Sequence, residues 1–403
     1  MRNFAVLPFR SLLVLSAVLS PVSMAYAVLE KFDPYASARV LWDSNVFRVS
    51  GDEEARALLG STSKNDTVGY LGGGFKTDFK LSRQHLFLDA EAIRAKYDNF
   101  DDLDHTRLKG RAAWGWRVGN LWNGNLGYRY ERNMRSFNES SIPEKDMRTT
   151  HTGYLDGGYQ LHPDWRLAGA LNLSDVSYQD RDRLDRNSSS GQLEVQYRNT
   201  LNTRVGVRLK YTDNDLNDEN VAGISISNDY QETEISGVLY WEGTGKSSFE
   251  GRWGYTQQSY DDFDERDYKG STGRLTYYWL ATGKTNVDVS AWRETSTQND
   301  EITTYVLTRG VRIRPRWSVT PLITLGGEVA YINDDYKGEN DIRTALGGQR
   351  RDDDTWRYGV SASWQPRKIV KLTVGYKKEH RDSSIDANDF DYSQIDLKAL
   401  LRF

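Results

Sequence analysis

Period-two alternation of apolar and polar residues runs through most of this chain, and it constrains the fold more than any other feature. In residues 108–118 every even position is apolar or glycine, and the charged residues Lys109, Arg111 and Arg117 are at odd positions. Successive side chains of a β-strand point to opposite faces, so such a segment has one apolar and one charged face. Because similar alternation recurs to the last residue, we expect a chain built almost entirely of β-strands.

The number and spacing of these segments predict a closed barrel. Every second connection is short, such as 82–84, whereas the others are long and polar, such as 43–66 and 333–353. Short turns at one rim and long loops at the other are typical of a transmembrane antiparallel up-and-down β-barrel with periplasmic turns and extracellular loops. We predict about 18 strands, with 16 as the lower bound, near residues 35–42, 67–81, 85–97, 105–118, 121–132, 148–161, 165–178, 188–198, 203–212, 229–241, 248–260, 268–280, 285–294, 303–315, 322–332, 354–365, 369–380 and 390–403.

The composition agrees with an all-β membrane barrel. Apolar residues make up only 38% of the chain, yet it contains 24 Tyr, 12 Trp and 34 Gly. A disordered chain is poor in aromatic residues, and a helical chain is poor in glycine. The net charge of −4 gives no basic excess that would indicate nucleic-acid binding.

The first residues resemble an export signal. Arg2 and Arg10 precede or flank the short apolar run 12–19, and Ala25-Tyr26-Ala27 supplies a small-x-small cleavage site. The apolar run is too short to cross a ~30 Å hydrocarbon core as a helix. We predict a signal peptide at 1–27 and one barrel domain at 28–403, located in the cell outer membrane.

The C-terminus supports the same location. Residues Ile395, Leu397, Ala399, Leu401 and Phe403 share one face of the last strand. A terminal aromatic after apolar residues in register resembles the signal that barrel assembly machinery recognises. Leu401 and Phe403 are therefore the predicted assembly signal, and this machinery is a predicted partner.

The charged faces of the strands are expected to line the lumen. An arginine or lysine facing lipid at the bilayer midplane costs about 2–4 kcal/mol. Either these arginines form a path that binds carboxylate, sulfate or phosphate groups of a hydrated polymer, or they pair with glutamates and merely fill the barrel. The candidate polymer contacts are Arg107, Arg111, Arg129, Arg204, Arg208, Arg252, Arg274 and Arg312, together with the inward aromatics Tyr154, Tyr240, Tyr278 and Trp292, which could stack on sugar rings.

Enzyme and metal signals are missing from the sequence. The five histidines are scattered, and there is no HExxH, Gly-x-Ser-x-Gly, P-loop or cysteine. We therefore predict no catalytic residues, no metal site and no cofactor. The Asp-rich loops, such as 261–267, are expected to form a solvated acidic rim rather than a cation site. No short repeat is recognisable.

Two features of the first long loop can be interpreted. Residues 52–59 predict a short helix, which could fold into the lumen or lie over the rim, and the second is favoured. Asp43 and Asn45 are expected to organise the turn that precedes it through side-chain-to-backbone hydrogen bonds.

The start of the predicted barrel domain resembles a known family. Phe32-Asp33-Pro34-Tyr35 leads the first strand, which ends in Leu41-Trp42-Asp43-Ser44-Asn45-Val46-Phe47-Arg48. This segment is similar to the opening of EpsL-type outer-membrane barrels, which are encoded with exosortase-linked exopolysaccharide operons. They belong to a wider group of β-barrel porins. The resemblance implies a role in biosynthesis or export of an exopolysaccharide, and it supplies no binding residues.

The leading hypothesis is a non-enzymatic barrel that helps export an exopolysaccharide across the outer membrane. The alternatives are a general diffusion porin for small hydrophilic solutes, a surface anchor for polysaccharide with a filled lumen, and an outer-membrane hydrolase with a Ser/His/acid cluster. The expected partners are outer-membrane lipid and lipopolysaccharide, barrel assembly machinery, an acidic or neutral exopolysaccharide, and a periplasmic export partner.

Overall fold

The computed structural model describes residues 32–139, 142–221, 224–262, 264–296, 305–337 and 351–403. The predicted signal peptide lies outside these ranges. One helix, α1 (Asp52–Leu59), follows the first strand. The strands are β1 (Phe32–Asp43), β2 (Asp66–Leu81), β3 (Gln84–Tyr97), β4 (His105–Val118), β5 (Trp122–Met134), β6 (Met147–His162), β7 (Trp165–Tyr178), β8 (Arg186–Arg198), β9 (Arg204–Leu216), β10 (Glu219–Val221), β11 (Ile224–Ile226), β12 (Tyr230–Thr244), β13 (Ser247–Tyr260), β14 (Tyr268–Thr282), β15 (Thr285–Ser296), β16 (Tyr305–Ser318), β17 (Ile323–Lys337), β18 (Asp352–Arg367), β19 (Val370–Ser383) and β20 (Phe390–Arg402).

Eighteen strands form one closed antiparallel barrel, which confirms the predicted fold class. Each barrel strand pairs with its neighbours in chain order, and β9 pairs with β12 across the β10–β11 hairpin. Closure comes from β1 and β20, which pair from Tyr35 with Arg402 to Asp43 with Gln394. Every edge is therefore paired, as a sheet in a membrane requires.

The strand faces have the polarity that the sequence indicates. On β9, Val205, Val207 and Leu209 point outward and are 44%, 58% and 49% exposed. Arg208, between them, points inward, and its side chain is only 16% exposed. Outward tryptophans such as Trp122, half-exposed, lie near strand ends, where aromatic girdles meet the membrane interfaces. An apolar outer face on this fold places the barrel in the outer membrane.

No helix in the described ranges is long and apolar enough to cross a membrane. The helix α1 occupies the residues that the sequence predicted, and most of its side chains are exposed. Only Ala55 is fully buried. The helix thus lies at the extracellular end of the barrel, while the segment just before it turns inward.

The inward segment belongs to the β1–β2 loop (residues 44–65). Its residues Val46, Phe47 and Val49 are buried against Val68 and Tyr97, which are on the lumen side of β2 and β3. The ring of Phe47 packs edge-on against those of Phe100 and Phe137, with centroids 4.8 Å apart in both cases. An apolar cluster thus closes part of the extracellular end.

Candidate functional site: the barrel lumen

Three of the candidate arginines form one chain of ion pairs around the wall. Glu234 accepts from Arg208 at 2.8 Å and also from Arg252. Arg252 continues to Glu294 at 2.9 Å, and Arg274 binds the same carboxylate at 2.5 Å. Arg252 and Arg274 are directly opposite each other on β13 and β14, so Glu294 offsets the repulsion between two like charges.

This chain ends on an aromatic ring. The guanidinium of Arg274 lies 4.9 Å from the ring centroid of Trp292, and that of Arg312 lies 5.7 Å from it. We call the set of seven residues from β9 to β16 the arginine belt. It consists of Arg208, Glu234, Arg252, Arg274, Glu294, Trp292 and Arg312.

A second group lies on β4, β5 and β6. Arg111 and Arg129 are opposite each other, and Tyr154 lies between them. The Tyr154 hydroxyl accepts from Arg111 at 3.3 Å, and the Arg129 guanidinium lies 4.8 Å from the ring centroid. A cavity of about 440 Å³ borders this group, with Glu91, Lys109 and Glu131 in its wall.

The remaining candidates are near the two ends of the barrel. Arg204, after a short periplasmic turn, lies 4.6 Å from the ring centroid of Tyr240. The Tyr278 hydroxyl donates to Glu250 at 2.5 Å. Near the extracellular end, Arg107 donates to the side-chain oxygen of Asn133 at 3.1 Å.

Five of the eight candidate arginines have no carboxylate partner. Within the described residues, no Asp or Glu oxygen lies within 4 Å of the guanidinium nitrogens of Arg107, Arg111, Arg129, Arg204 or Arg312. Four of these five lie over an aromatic ring. Ion pairing therefore accounts for only part of the lumen wall, and the charges of these five arginines are not neutralised by a direct ion pair.

Glycines hold two of the rings flat against the wall. A Cβ added at Gly310 would lie 2.3 Å from the Trp292 ring, and one added at Gly127 would lie 2.3 Å from the Tyr154 ring. Each aromatic is directly opposite its glycine on the neighbouring strand. One ring face is therefore packed on backbone, and an arginine lies over the ring. Parity predicted that these rings point inward, but it did not predict their glycine and arginine partners.

The turn after β1 is built as the sequence predicted. Asp43 accepts from the Asn45 amide at 2.9 Å, and the Asn45 side chain bonds both the amide and the carbonyl of Val49, at 3.1 and 2.8 Å. The structural role predicted for Asp43 and Asn45 is thereby confirmed. Arg48, with a positive φ of 59°, forms a two-pronged pair with Asp43, at 3.0 and 2.9 Å.

A second long loop reaches the same place from across the barrel. Asn138, in the β5–β6 loop (residues 135–146), accepts from Arg48 at 2.9 Å and donates to Glu379 of β19 at 2.9 Å. Its backbone carbonyl accepts from Arg381 at 3.1 Å. Asn138 therefore links the two loops to each other and to β19, a long-range contact for which the sequence carries no periodic signal.

Four long loops share a device that the sequence analysis missed. The amides of Tyr97, Tyr178 and Tyr260 each donate to an aspartate seven residues later, at 2.8, 2.7 and 3.0 Å. Ser383 donates to Asp389 in the same way, six residues later. Between donor and acceptor lies one turn of 3-10 helix. The recurring Asp at this spacing is the signal that would have found it.

The histidines form no catalytic or metal-binding group. His85, His162 and His380 lie near aspartates, and His151 contacts the Tyr128 hydroxyl at 2.6 Å. In the part of the chain that the structure describes, no histidine hydrogen bonds to a serine hydroxyl, and no group of three His, Asp or Glu side chains could hold a metal. Among the described residues, no Ser-His-acid cluster is present.

The comparisons with known proteins agree with a porin-like barrel. The model of the family described as "Putative beta-barrel porin 2" matches residues 242–403. A search of curated protein sequences finds no match.

Solved structures give the same fold at low sequence identity. Pseudomonas aeruginosa OpdK, crystallised with vanillate, is 12% identical with a TM-score of 0.53, covering 93% of this chain and 100% of OpdK. OpdO of the same organism is 14% identical with a TM-score of 0.53, covering 94% and 99% of the two chains. Acinetobacter baumannii OccAB3 is 10% identical with a TM-score of 0.51, covering 92% and 99%. These likenesses establish an outer-membrane porin fold.

Proposed function

We propose that the barrel is a non-enzymatic channel that guides an anionic exopolysaccharide across the outer membrane. The observation that carries this proposal is the set of five inward arginines that have no carboxylate within 4 Å among the residues the structure describes. A guanidinium over an aromatic ring keeps its in-plane N–H groups available for a carboxylate, sulfate or phosphate group.

The arrangement of these charges suits movement along the lumen. Arg204 is near the periplasmic end, Arg312 and Arg129 are near the middle of their strands, and Arg107 is near the extracellular end. Conduction requires sites that attract the cargo and yet release it to the next site. Arginines spaced along the wall provide several such contacts for a polymer with regularly repeated charges.

Two comparisons support separate parts of the proposal. The resemblance of residues 32–35 and 41–48 to EpsL-type barrels supports an exopolysaccharide as cargo, and the match of residues 242–403 supports a porin-like channel. A periplasmic export partner at the short turns, and lipopolysaccharide around the outer face, belong to the same proposal.

The test is single-channel conductance of the refolded protein in a planar bilayer. We expect oligouronate fragments to block the current and neutral dextran fragments of equal length to block it far less. The block should weaken as salt screens the arginines. Arg312→Gln should weaken it several-fold, whereas Arg94→Gln, a matched change on the outer face of β3, should leave it unchanged. Equal block by both polymers would contradict the proposal.

A second candidate is a channel for small carboxylates. The fold likeness to OpdK, whose crystal structure contains vanillate, favours it. In that case vanillate itself should carry current, and oligouronate should not compete with it. No current from demonstrably folded protein would instead favour a surface anchor with a closed lumen.

A further inference from the structure

A small chamber lies between the inward loops and the barrel wall at the extracellular end. Its volume is about 220 Å³. Val46 and Arg48 of the β1–β2 loop and Phe137 of the β5–β6 loop cover it, and strands β20 and β1 to β5 form its wall. The chamber is smaller than the ~300–1,000 Å³ of a typical pocket for a drug-sized ligand. This volume suits a single small ring rather than a length of polymer.

Among the described residues that line the chamber, the one carboxylate is already neutralised. Asp43 forms the two-pronged pair with Arg48, and its oxygens also accept from the Asn45 amide and from the Gln394 side chain, the latter at 2.8 Å. Both partners of the ion pair are less than a tenth exposed. Asp43 is therefore occupied by four hydrogen bonds and would repel an incoming anion only weakly.

One arginine of the lining keeps its charge uncompensated. Arg107 has a neutral partner, Asn133, and no carboxylate lies within 4 Å of it among the described residues. Arg135, another cation of the lining, lies 3.8 Å from Glu139. A half-enclosed guanidinium without a counter-charge favours binding of an anion, since burial strengthens electrostatic attraction.

The other groups of the lining suit a hydroxylated ring. Asn133 and Gln394 carry side-chain amides, and Tyr70 and Tyr97 add aromatic rings with hydroxyl groups. Amides and hydroxyls can both donate and accept hydrogen bonds. Asn133 already accepts from Arg107 and Gln394 already donates to Asp43, but each amide has further donor and acceptor capacity. The hydroxyl groups of a sugar carboxylate can use this capacity together with Arg107, whereas a simple inorganic anion cannot donate to it.

We propose that this chamber binds one carboxylated sugar unit, a uronate, with its carboxylate on Arg107. This inference deepens the proposed function, because it places recognition of a single sugar unit at the extracellular end of the path. It also explains why the loops fold inward, since they complete the chamber.

The test is isothermal titration of the refolded full barrel with sodium glucuronate, glucose and acetate. We expect glucuronate to bind at least about tenfold more tightly than glucose or acetate, because only glucuronate uses both the charge and the hydroxyl partners. Arg107→Gln should weaken glucuronate binding about 10- to 100-fold, the usual effect of a lost charged hydrogen bond. Arg94→Gln is the matched control and should not change it. Heat-modifiable migration on gels verifies folding, and Arg107→Lys, which loses the two-pronged geometry, serves if Arg107→Gln does not refold.

The possible results distinguish the proposed uronate chamber from the proposed polymer channel. No saturable glucuronate binding, or full binding by Arg107→Gln, would overturn the chamber while leaving oligouronate block of the current intact. Binding lost in Arg312→Gln but kept in Arg107→Gln would place the site in the arginine belt and overturn the chamber as well. Acetate binding as tightly as glucuronate would show that the chamber recognises the carboxylate alone, and it would overturn the proposal of a sugar site.

Discussion

At the residue scale, many loop aspartates act as hydrogen-bond acceptors for the backbone. Asp104, Asp185 and Asp267 each accept the amide at the end of the preceding strand. Asp66 accepts from the amides of three successive residues of the β3–β4 loop. The solvated acidic rim that the sequence predicted is therefore in part a set of structural caps.

The hydrogen bond between Asp185 and the Tyr178 amide is expected to make the stability of its loop depend on pH. Burial raises its pKa above the ordinary 3.8, the amide of Tyr178 opposes this, and neighbouring aspartates add to the rise. Since the folded pKa is higher than the unfolded one, the stability contributed by the carboxyl is present at low pH and is lost as pH rises through the folded pKa. We expect Asp185→Asn, which keeps an acceptor without the charge, to preserve the loop at neutral pH and to remove this dependence.

Asp185→Ala removes the acceptor of the Tyr178 amide bond, at a cost of about 1–3 kcal/mol in local stability. Hydrogen exchange of the Tyr178 amide measures both variants. Equally fast exchange in Asp185→Asn and Asp185→Ala, in both cases faster than in the unmodified protein, would show that charge, rather than the hydrogen bond, holds the loop.

A substitution at Trp292 can distinguish two roles of an inward aromatic ring, supporting the neighbouring arginines or stacking on a sugar ring. If the ring supports Arg274 and Arg312, as their centroid distances indicate, then Trp292→Ala should weaken block by oligouronate although no charge changes. A cation–π contact of about 0.5–1 kcal/mol corresponds to a change of roughly two- to fivefold. A bare sugar-stacking ring would instead make Trp292→Ala weaken block by neutral dextran. Conductance with both polymers decides between these roles.

At the element scale, the strands follow from the sequence and the loop contacts do not. The alternation predicted every barrel strand, because each strand of a membrane barrel has a polar face toward the lumen and an apolar face toward lipid. The β10–β11 hairpin was missed because three residues per strand are too few to show a period. The ends of β9, β17 and β19 extend beyond their predicted bounds, into polar residues that alternation does not reveal.

The inward loops could not be predicted in the same way. Asn138 and Glu379 are 241 residues apart in the chain, and they meet only because the barrel closes. Parity predicted which arginines point inward, but the partners of each depend on cross-strand register. Only the turn at Asp43 and Asn45 was indicated locally, because aspartate and asparagine commonly organise turns.

Asn138 therefore tests how the two inward loops are held. Asn138→Ala removes the side-chain bonds to Arg48 and Glu379, and we expect docking to weaken by about 1–3 kcal/mol. Amide exchange in residues 44–60 should then rise by roughly 5- to 100-fold, while the barrel strands stay protected. Asn388→Ala, in the β19–β20 loop, is the matched control. Unchanged exchange in Asn138→Ala would mean that the Phe47 cluster alone holds the loops.

At the scale of the whole molecule, the barrel depends on the seam between its first and last strands. Nine residues of β1, from Tyr35 to Asp43, pair with β20, and the Phe403 amide adds a bond to the Pro34 carbonyl at 3.0 Å. Arg39 and Asp396 form an ion pair across the same seam on the lumen side. Closure therefore uses backbone hydrogen bonds along the whole seam. It brings the start of β1 and the end of β20 together at the periplasmic rim.

The last residue separates the stability of this seam from its assembly. The Phe403 side chain is 76% exposed, so it contributes little packing, and its backbone bond does not depend on the side chain. Phe403 is on the lipid-facing side, so Phe403→Ala loses contacts with lipid rather than with the protein. We expect it to lower the free energy of unfolding of the refolded barrel by no more than about 1.5 kcal/mol, the lower end of the range for a buried large apolar side chain. If Phe403 is read by the assembly machinery, the same variant should reach the outer membrane of cells in much lower yield, and Phe403→Trp should restore the yield. Urea unfolding in lipid vesicles and quantification of heat-modifiable barrel in membranes measure the two effects. A large loss of stability in vitro would instead assign Phe403 to the fold, whereas unchanged yield in cells would remove it from the assembly signal and leave Leu401 as the residue to examine.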